Sequence, residues 1–334
     1  MDSPRLDIIV THYNEPWEVG EKLFAILNLQ RGVDLTSWRV TVVNDGPDCH
    51  IPDERFAGLK YPLRQIDIEH GGVSAARNAG LDAAEAEWVM FCDFDDTFAG
   101  IYAMRDIMHV LPAKGYNMLH GKLMAEYISD DRDLVYYPRE TQKYVYCHGK
   151  LYRRQFLLDN DLRFDTELVF NEDSEFNAML ITMCHYSTIG DIKSEMPIYC
   201  WISRNGSVTR SGREDEAAWG QFRRNLKITE ANKKRGEDHY CGMITRTVYD
   251  TWYMVQGKRI SQSMKDRIME QFIPWISESE RLNRLGKVSD TTMKQIIDIA
   301  RYELLEPDDV VPDSIRLVRG WVEANLTKMK EGAE

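Results

Sequence analysis

Three carboxylates fall within four positions at the end of an apolar run, Trp88-Val89-Met90-Phe91-Cys92-Asp93-Phe94-Asp95-Asp96. Like charges a few Å apart raise one another's pKa and cost stability unless a cation is shared, so the crowding points to a divalent metal. Hard oxygen donors with no Cys or His spacing around them favour Mg²⁺ or Mn²⁺ over Zn²⁺, with a phosphate-bearing substrate completing the coordination. The competing explanation is a strand followed by an acidic helix cap. A second acidic stretch is Phe170-Asn171-Glu172-Asp173-Ser174-Glu175-Phe176-Asn177, where Asn171 or Asp173 capping a helix anchored by Phe176, Met179 and Leu180 would account for the acids without chemistry. His70-Gly71-Gly72-Val73-Ser74-Ala75-Ala76-Arg77-Asn78-Ala79-Gly80 offers amide donors at a helix start with Arg77 one turn in. That is an anion site or a plainly packed helix start, and its spacing is neither that of a dinucleotide fingerprint nor that of a Walker phosphate loop. His148 precedes a Gly turn, and Arg204 and Arg210 sit in a polar, basic loop between 203 and 213.

Strands are needed to carry these residues to one edge. Leu6 to Val10, Trp38 to Val43, Leu63 to Ile68 and Trp88 to Cys92 are short apolar runs, each breaking into a turn. Between the first two, Val19, Leu23, Ile26 and Leu27 share one helical face, and Pro16 suits a first helical turn. Strands alternating with helices at this spacing imply crossover units and a mainly parallel sheet, whose carboxyl edge is where α/β proteins bind ligands. Further on, a helix is expected over Tyr102 to Leu111 and strands over Tyr116 to Glu126, Leu134 to Tyr137, His185 to Ile189 and Ile198 to Ile202. A turn into a basic helix is expected over residues 146–157, with Arg153-Arg154 on its solvated face. From Asp215 the pattern becomes helical, through sets such as Trp219, Phe222 and Leu226, then Ile244, Val248 and Trp252, then Met264, Ile268 and Phe272. Two more helices are expected around 293–300 and 315–326. The expected domains are 1–212 and 213–334.

The 334 residues carry a formal net charge of -12, which argues against a broad phosphate-tracking surface for nucleic acid. Six widely spaced cysteines without a C-x-x-C pair indicate neither a zinc site nor a disulfide framework. No run approaches the twenty apolar residues of a membrane span, and MDSPRLDIIVTHYNEP enters a strand without a basic, apolar leader. The expected location is cytoplasmic, with a peripheral place at the inner membrane face as the secondary option.

Taken in order, IIVTHYNE, VVNDGPD, GGVSAARNAG, FCDFDD, GKLYRRQFL and NEDSEF resemble the family-2 glycosyltransferases, over about residues 5 to 210. The resemblance implies a GT-A type, mainly parallel α/β sheet flanked by helices, followed here by a C-terminal helical domain. It also implies a metal-dependent, inverting transfer of a sugar from a nucleotide donor, UDP-linked, to an acceptor hydroxyl, with Mn²⁺ or Mg²⁺ as cofactor. Thr11, Tyr13 and Glu15 match the segment that holds the nucleoside, and Asp45 matches the acid that accepts from the uracil ring. Asn44 and Pro47 depart from the usual Asp-Asp-Gly-Ser there. Gly72 and Arg77 match the loop and helix beside the nucleotide. Asp93 and Asp95 form the D-x-D element, Asp95 touching the metal and Asp93 the ribose or the metal, while Asp96 caps the next helix. Glu172-Asp173 matches the Glu-Asp pair in which the Asp is general base. His148 contacts diphosphate or acceptor, and Arg204 and Arg210 close over the diphosphate.

The acceptor implied is a glycan or another hydroxyl, with nucleic acid admitted only as a modified base. The helical tail is expected to shape the acceptor pocket or to mediate homo-oligomers. Two rivals remain at this level. One is a nucleotidyltransferase on a related fold, which usually opens with a Gly-rich basic signature that IIVTHYNEP lacks. The other is a non-catalytic nucleotide- or carbohydrate-binding subunit, which would be free to lose Asp173.

Overall fold

The computed structural model describes residues 4–128, 134–139, 146–184, 186–203, 213–234, 236–256, 260–284, 320–321 and 324. The chain divides into two compact units, Met1–Ser211 and Gly212–Glu334.

The first unit is built on β1 (Leu6–His12), β2 (Trp38–Asp45), β3 (Leu63–Ile68) and β4 (Trp88–Asp93), with α1 (Trp17–Asn28) and α2 (Gly72–Ala83) as crossovers. β1 pairs in parallel with both β2 and β4, Thr11 lying opposite Val43 on one side and Asp93 on the other. The strand order therefore reverses at β1, the kind of switch point at which open α/β sheets leave a crevice at their carboxyl ends. β5 (Thr97–Phe98) and α3 (Ala103–Val110) follow, then β6 (Met118–His120), β7 (Leu123–Ile128), β8 (Leu134–Arg139) and β9 (Lys150–Arg153). After them come α4 (Arg154–Asp159), α5 (Glu172–Met183), β10 (Ile189–Asp191) and β11 (Tyr199–Ile202). The large sheet runs β10-β6-β9-β4-β1-β2-β3, and a smaller one runs β5-β11-β7-β8.

β4 is buried on both faces, as a central parallel strand must be. Trp88, Met90, Cys92 and Phe94 join the core under α1 and α3, whereas Val89 and Phe91 join the core under α2 and α5. In the second core Phe164 stacks on Phe176 at 4.1 Å, Phe91 meets both edge-on, and Tyr152 closes the group at 5.4 Å from Phe176. This aromatic block ties the strand that ends in Asp93 to the helix that begins at Glu172.

Three expected elements differ. Tyr116 to Glu126 is two strands in two sheets, because the chain changes sheets at Gly121. A Cβ there would lie 2.4 Å from Ile198 Cδ1, so any side chain would force Ile198 to shift. The stretch expected to turn directly into a basic helix first forms β9, antiparallel to β4 and β6, with Lys150, Leu151 and Tyr152 buried. Arg153 accordingly lies not on a solvated helix face but over the Trp88 ring at 4.4 Å, paired with Glu87. Of the strand expected at His185 to Ile189, Tyr186–Thr188 form a single 3-10 turn leading into β10, and His185 lies outside the described residues.

The second unit contains α6 (Glu214–Lys233), α7 (Glu237–Gln256) and α8 (Gln262–Arg284). Phe222, Val248, Trp252, Ile268, Phe272 and Ile276 form its core, with Trp321 packed against it. A buried polar seam runs between α6 and α7, where Thr229 and Thr247 share a hydroxyl hydrogen bond of 2.7 Å and Asn225 donates to Asp250 at 2.9 Å. The helix expected at 293–300 and most of that at 315–326 lie outside the described residues. Among the described residues no helix is long and apolar enough to cross a membrane.

Candidate active site

The acid-bearing end of β4 is held from both sides. Phe94 drops into the core against Gly20 of α1, where a Cβ would lie 2.3 Å from its ring, and packs on His12 at 4.5 Å. Pinning Phe94 turns the acids around it to defined places. Asp93 stays about one-third exposed at the crevice and accepts from Thr11 Oγ1 at 3.4 Å. Asp95 is half-buried, and its charge reaches Glu15 and Asp96. Asp96 points inward, accepting from Tyr199 Oη at 2.7 Å and from the Ile202 amide at 2.9 Å. It does not cap the next helix, which starts only at Ala103. The sequence signal for this was parity, since Asp96 is in step with the core residues Met90, Cys92 and Phe94.

Arg77, in the second turn of α2, donates from Nη2 to Asp93 at 3.0 Å and from Nη1 to Glu172 at 2.9 Å. Its side chain is 4% exposed and lies over the Phe164 ring at 5.2 Å. The guanidinium thus joins two acids that stand 79 positions apart in sequence (172 − 93). Burial alone would raise Asp93, but the Arg77 charge and the His148 hydrogen bond outweigh it and hold this carboxyl well below the usual range. Glu172 is raised, first by burial and then by the neighbouring charge of Asp173.

α5 begins at Glu172 behind Asn171, whose φ of +64° is left-handed and whose side chain makes no capping bond. Asp173 is half-buried and accepts from the Ser174 amide at 2.6 Å. Its charge is felt by Arg77, His148 and Lys150, which places it on the same polar network as Asp93.

His148 lies between the acids. Its Nε2 is 3.2 Å from Asp93 Oδ2 and 3.7 Å from Asp96 Oδ2. Burial disfavours the imidazolium, yet the Asp93 hydrogen bond and the charges of Asp96, Asp93 and Asp173 prevail and push it up to about 9. The ring is sandwiched in parallel between Tyr146 at 6.1 Å and Tyr199 at 5.4 Å. Sequence reasoning missed Tyr199 and Lys150; only the alternation within β9 and β11 signalled that they point inward.

The remaining expected residues form a second cluster at the ends of β1 and β2. Asp45 is buried and accepts from the amides of Gly71 and Gly72 at 2.7 and 2.9 Å, with His70 Nδ1 at 3.0 Å. It therefore shapes the turn that Gly72 completes at φ +85°. Tyr13 is exposed and stacks on His70 at 4.3 Å, and Glu15 accepts from the Tyr13 amide at 2.7 Å. Arg204 and Arg210 lie outside the described residues.

One oxygen each from Asp93 and Asp96 and one nitrogen of His148 lie within 4.8 Å of one another. The donor set fits a divalent cation. Asp96 is a fully buried carboxyl that burial, against His148 and with Asp93 and Asp95, pushes up to about 8, so this pocket holds more acid than its surroundings neutralise. Asp95, the residue expected to touch the metal, is not one of these three. A cation beside two groups of acids, one of them at a helix start, suits a reaction in which negative charge leaves on one side and a proton is taken up on the other.

Residues 7–166 match the family model described as Glycosyl transferase family 2. The uncharacterised glycosyltransferase EpsJ of Bacillus subtilis is 26% identical over 193 residues, covering 52% of this chain and 55% of EpsJ, so the chain spans about half the length of that relative. The crystal structure of Staphylococcus aureus TarS 1–349 in complex with UDP-GlcNAc superposes with a TM-score of 0.62 at 18% identity, covering 92% of this chain and 95% of that one. The mannosyltransferase PcManGT from Pyrobaculum calidifontis, solved with GDP-Man and Mn²⁺, gives 0.52 at 13% identity over 98% of this chain and 85% of that one. These two likenesses establish the GT-A fold. The stretch that carries Asp93, Asp96 and His148 is thus the part of the chain that is similar to the family 2 glycosyltransferases.

Proposed function

We propose that the protein transfers a sugar from a UDP-sugar to an acceptor hydroxyl with inversion, and that Asp173 is the general base. The observation that carries this reading is the Asp93–Arg77–Glu172 bridge, which brings the acids of β4 and the acids of α5 to one crevice. The UDP-GlcNAc bound by TarS, a protein of the same fold, supports a UDP-linked donor.

The nucleoside end lies at the β1 and β2 cluster, with Tyr13 and His70 exposed for stacking and the Gly71-Gly72 turn at the start of α2 beside the diphosphate. Asp93, Asp96 and His148, with Asp95 alongside, would hold Mn²⁺ or Mg²⁺, and the bound cation would supply positive charge for the departing diphosphate. Asp173 takes the proton of the acceptor hydroxyl as its oxygen attacks the anomeric carbon from the face opposite the nucleotide, which inverts that carbon. Glu172 does not share this task, because Arg77 occupies it; it keeps the guanidinium in place.

Wild-type protein given a panel of UDP- and GDP-sugars should release UDP by slow donor hydrolysis. Asp173→Asn should lose transfer by roughly 10²–10⁴-fold while binding UDP within a few-fold of wild type. Full transfer activity in Asp173→Asn would remove the base assignment, and turnover confined to GDP-sugars would remove the UDP assignment.

A further inference from the structure

The small sheet carries an aromatic surface that the reaction as described leaves unused. Trp201 of β11 pairs with Ala125 of β7, and Ala125 pairs with Tyr137 of β8, so the three side chains stand in one row on one face. Tyr127 lies two residues beyond Ala125 on the same face and meets Trp201 at 5.7 Å and Tyr137 at 5.9 Å, both edge-on. The result is a patch of rings lying over the small Ala125, which is fully buried beneath them. Trp201 and Tyr127 are half-buried, and Tyr137 is 55% exposed.

The patch adjoins the reaction centre through a buried ring, Tyr199. Tyr199, whose hydroxyl bonds to Asp96 and whose ring stacks on His148, is on the same strand as Trp201 and two residues earlier, hence on the same face and about 7 Å away along β11. Its position also separates it from the donor. The proposed nucleoside cluster lies across β4 at β1 and β2, whereas the patch lies on the sheet that continues from β5. His148, Tyr199 and Trp201 thus follow one another from the acids of β4 along β11.

We infer that Trp201, Tyr127 and Tyr137 form a stacking platform for the acceptor, and that the acceptor is a chain of pyranose sugars. This rests on the transferase reading above. A pyranose places its C–H face on an aromatic ring and keeps its hydroxyls in water, which suits rings that are half-covered and half-wet; a lipid tail needs a closed apolar groove. Rigid Trp and Tyr rings give such contacts at little cost in side-chain entropy.

The test is binding of cello-, chito-, xylo- and manno-oligosaccharides to the full chain in the presence of UDP and Mn²⁺, read by glycan array and then calorimetry. Wild type should bind at least one series. Tyr137→Ala should weaken it roughly five- to tenfold, Trp201→Ala at least as much and Trp201→Phe less. Tyr136→Ala is the control on the opposite face, where its hydroxyl bonds to Glu126, and should bind as wild type does. Should Trp201→Ala fail to fold, Tyr137→Ala and Trp201→Phe decide the matter. No binding by wild type, equal binding by Tyr137→Ala, or a change of oligomeric state in Tyr137→Ala, which would give this face to a second copy, overturns the inference. Calorimetry of UDP-GlcNAc with wild type reads the donor site separately, so loss of the transferase reading is told apart from loss of the platform.

Discussion

Replacing Arg77 with Met should destabilise the first unit and alter how its stability responds to pH. The guanidinium is buried, with ion pairs of 3.0 Å to Asp93 and 2.9 Å to Glu172. Met keeps much of the apolar stem over Phe164 and removes the charge. Removing one partner of a buried pair costs about 3–5 kcal/mol because the other charge is stranded. For a unit of this size 1 kcal/mol moves Tm by roughly 2–4 °C, giving a fall of about 6–20 °C. Calorimetry of the full chain suits the measurement, since two units can melt separately. The pH response follows from Asp93, whose folded pKa lies far below its unfolded value of about 3.9. Such a carboxylate contributes stability above its unfolded pKa and loses it as pH falls through the folded one. The gap between wild type and Arg77→Met should therefore be widest at pH 7 and narrow steadily below about pH 4. A drop under 2 °C at pH 7, or a gap that ignores pH, would refute the view of Arg77 as the cation joining the two acid groups.

Three further outcomes are expected. EDTA and Asp93→Asn should each remove the Mn²⁺-dependent part of UDP binding in calorimetry; affinity indifferent to both would take the metal away from this cluster. Lys150 is fully buried, donates to the Tyr146 carbonyl, and is pushed by burial from an ordinary 10.5 down to about 8. A lysine with a lowered folded pKa costs stability below that value and recovers it as pH rises toward the unfolded one, so Lys150→Met should be more stable than wild type at pH 7, by up to about 3 kcal/mol, and lose this advantage by about pH 10. Equal denaturation midpoints at pH 7 would contradict it. Gly20→Ala should cost about 1–3 kcal/mol by driving a methyl into the Phe94 ring, and a melting temperature within 1 °C of wild type would mean that Phe94 is free to move.

The strands that build the crevice were legible because each is an apolar run broken by a turn, and β1, β2, β3 and β4 all lie where those runs lie. Asp93 was legible for the same reason, being the first polar residue after a buried run, whereas Asp173, behind Asn171 and Glu172, was singled out only by the family resemblance. What escaped was set by tertiary packing. The chain changes sheets at Gly121, whose close neighbour Ile198 is 77 positions later (198 − 121), and nothing nearby in sequence announces that neighbour. β9 was masked by its charged residues, since Lys150 and Arg153 suggest a solvated helix until Tyr146 and Trp88 are seen to receive them. Asp96 looked like a cap because capping is the commoner use of an acid after a strand. Its partners Tyr199 and Ile202 are more than a hundred positions away.

Phe91, Phe164, Phe176 and Tyr152 have a bearing on how such an enzyme can diversify. They set the separation between the end of β4 and the start of α5 from inside, independently of the segments that rim the crevice. Rim segments can then lengthen, shorten or exchange side chains to suit new acceptors without retuning the distance over which the chemistry happens. The interior rings lack that freedom: a smaller residue at Phe176 would let the two acid groups drift, a substitution remote from the crevice that the proposed transfer would register.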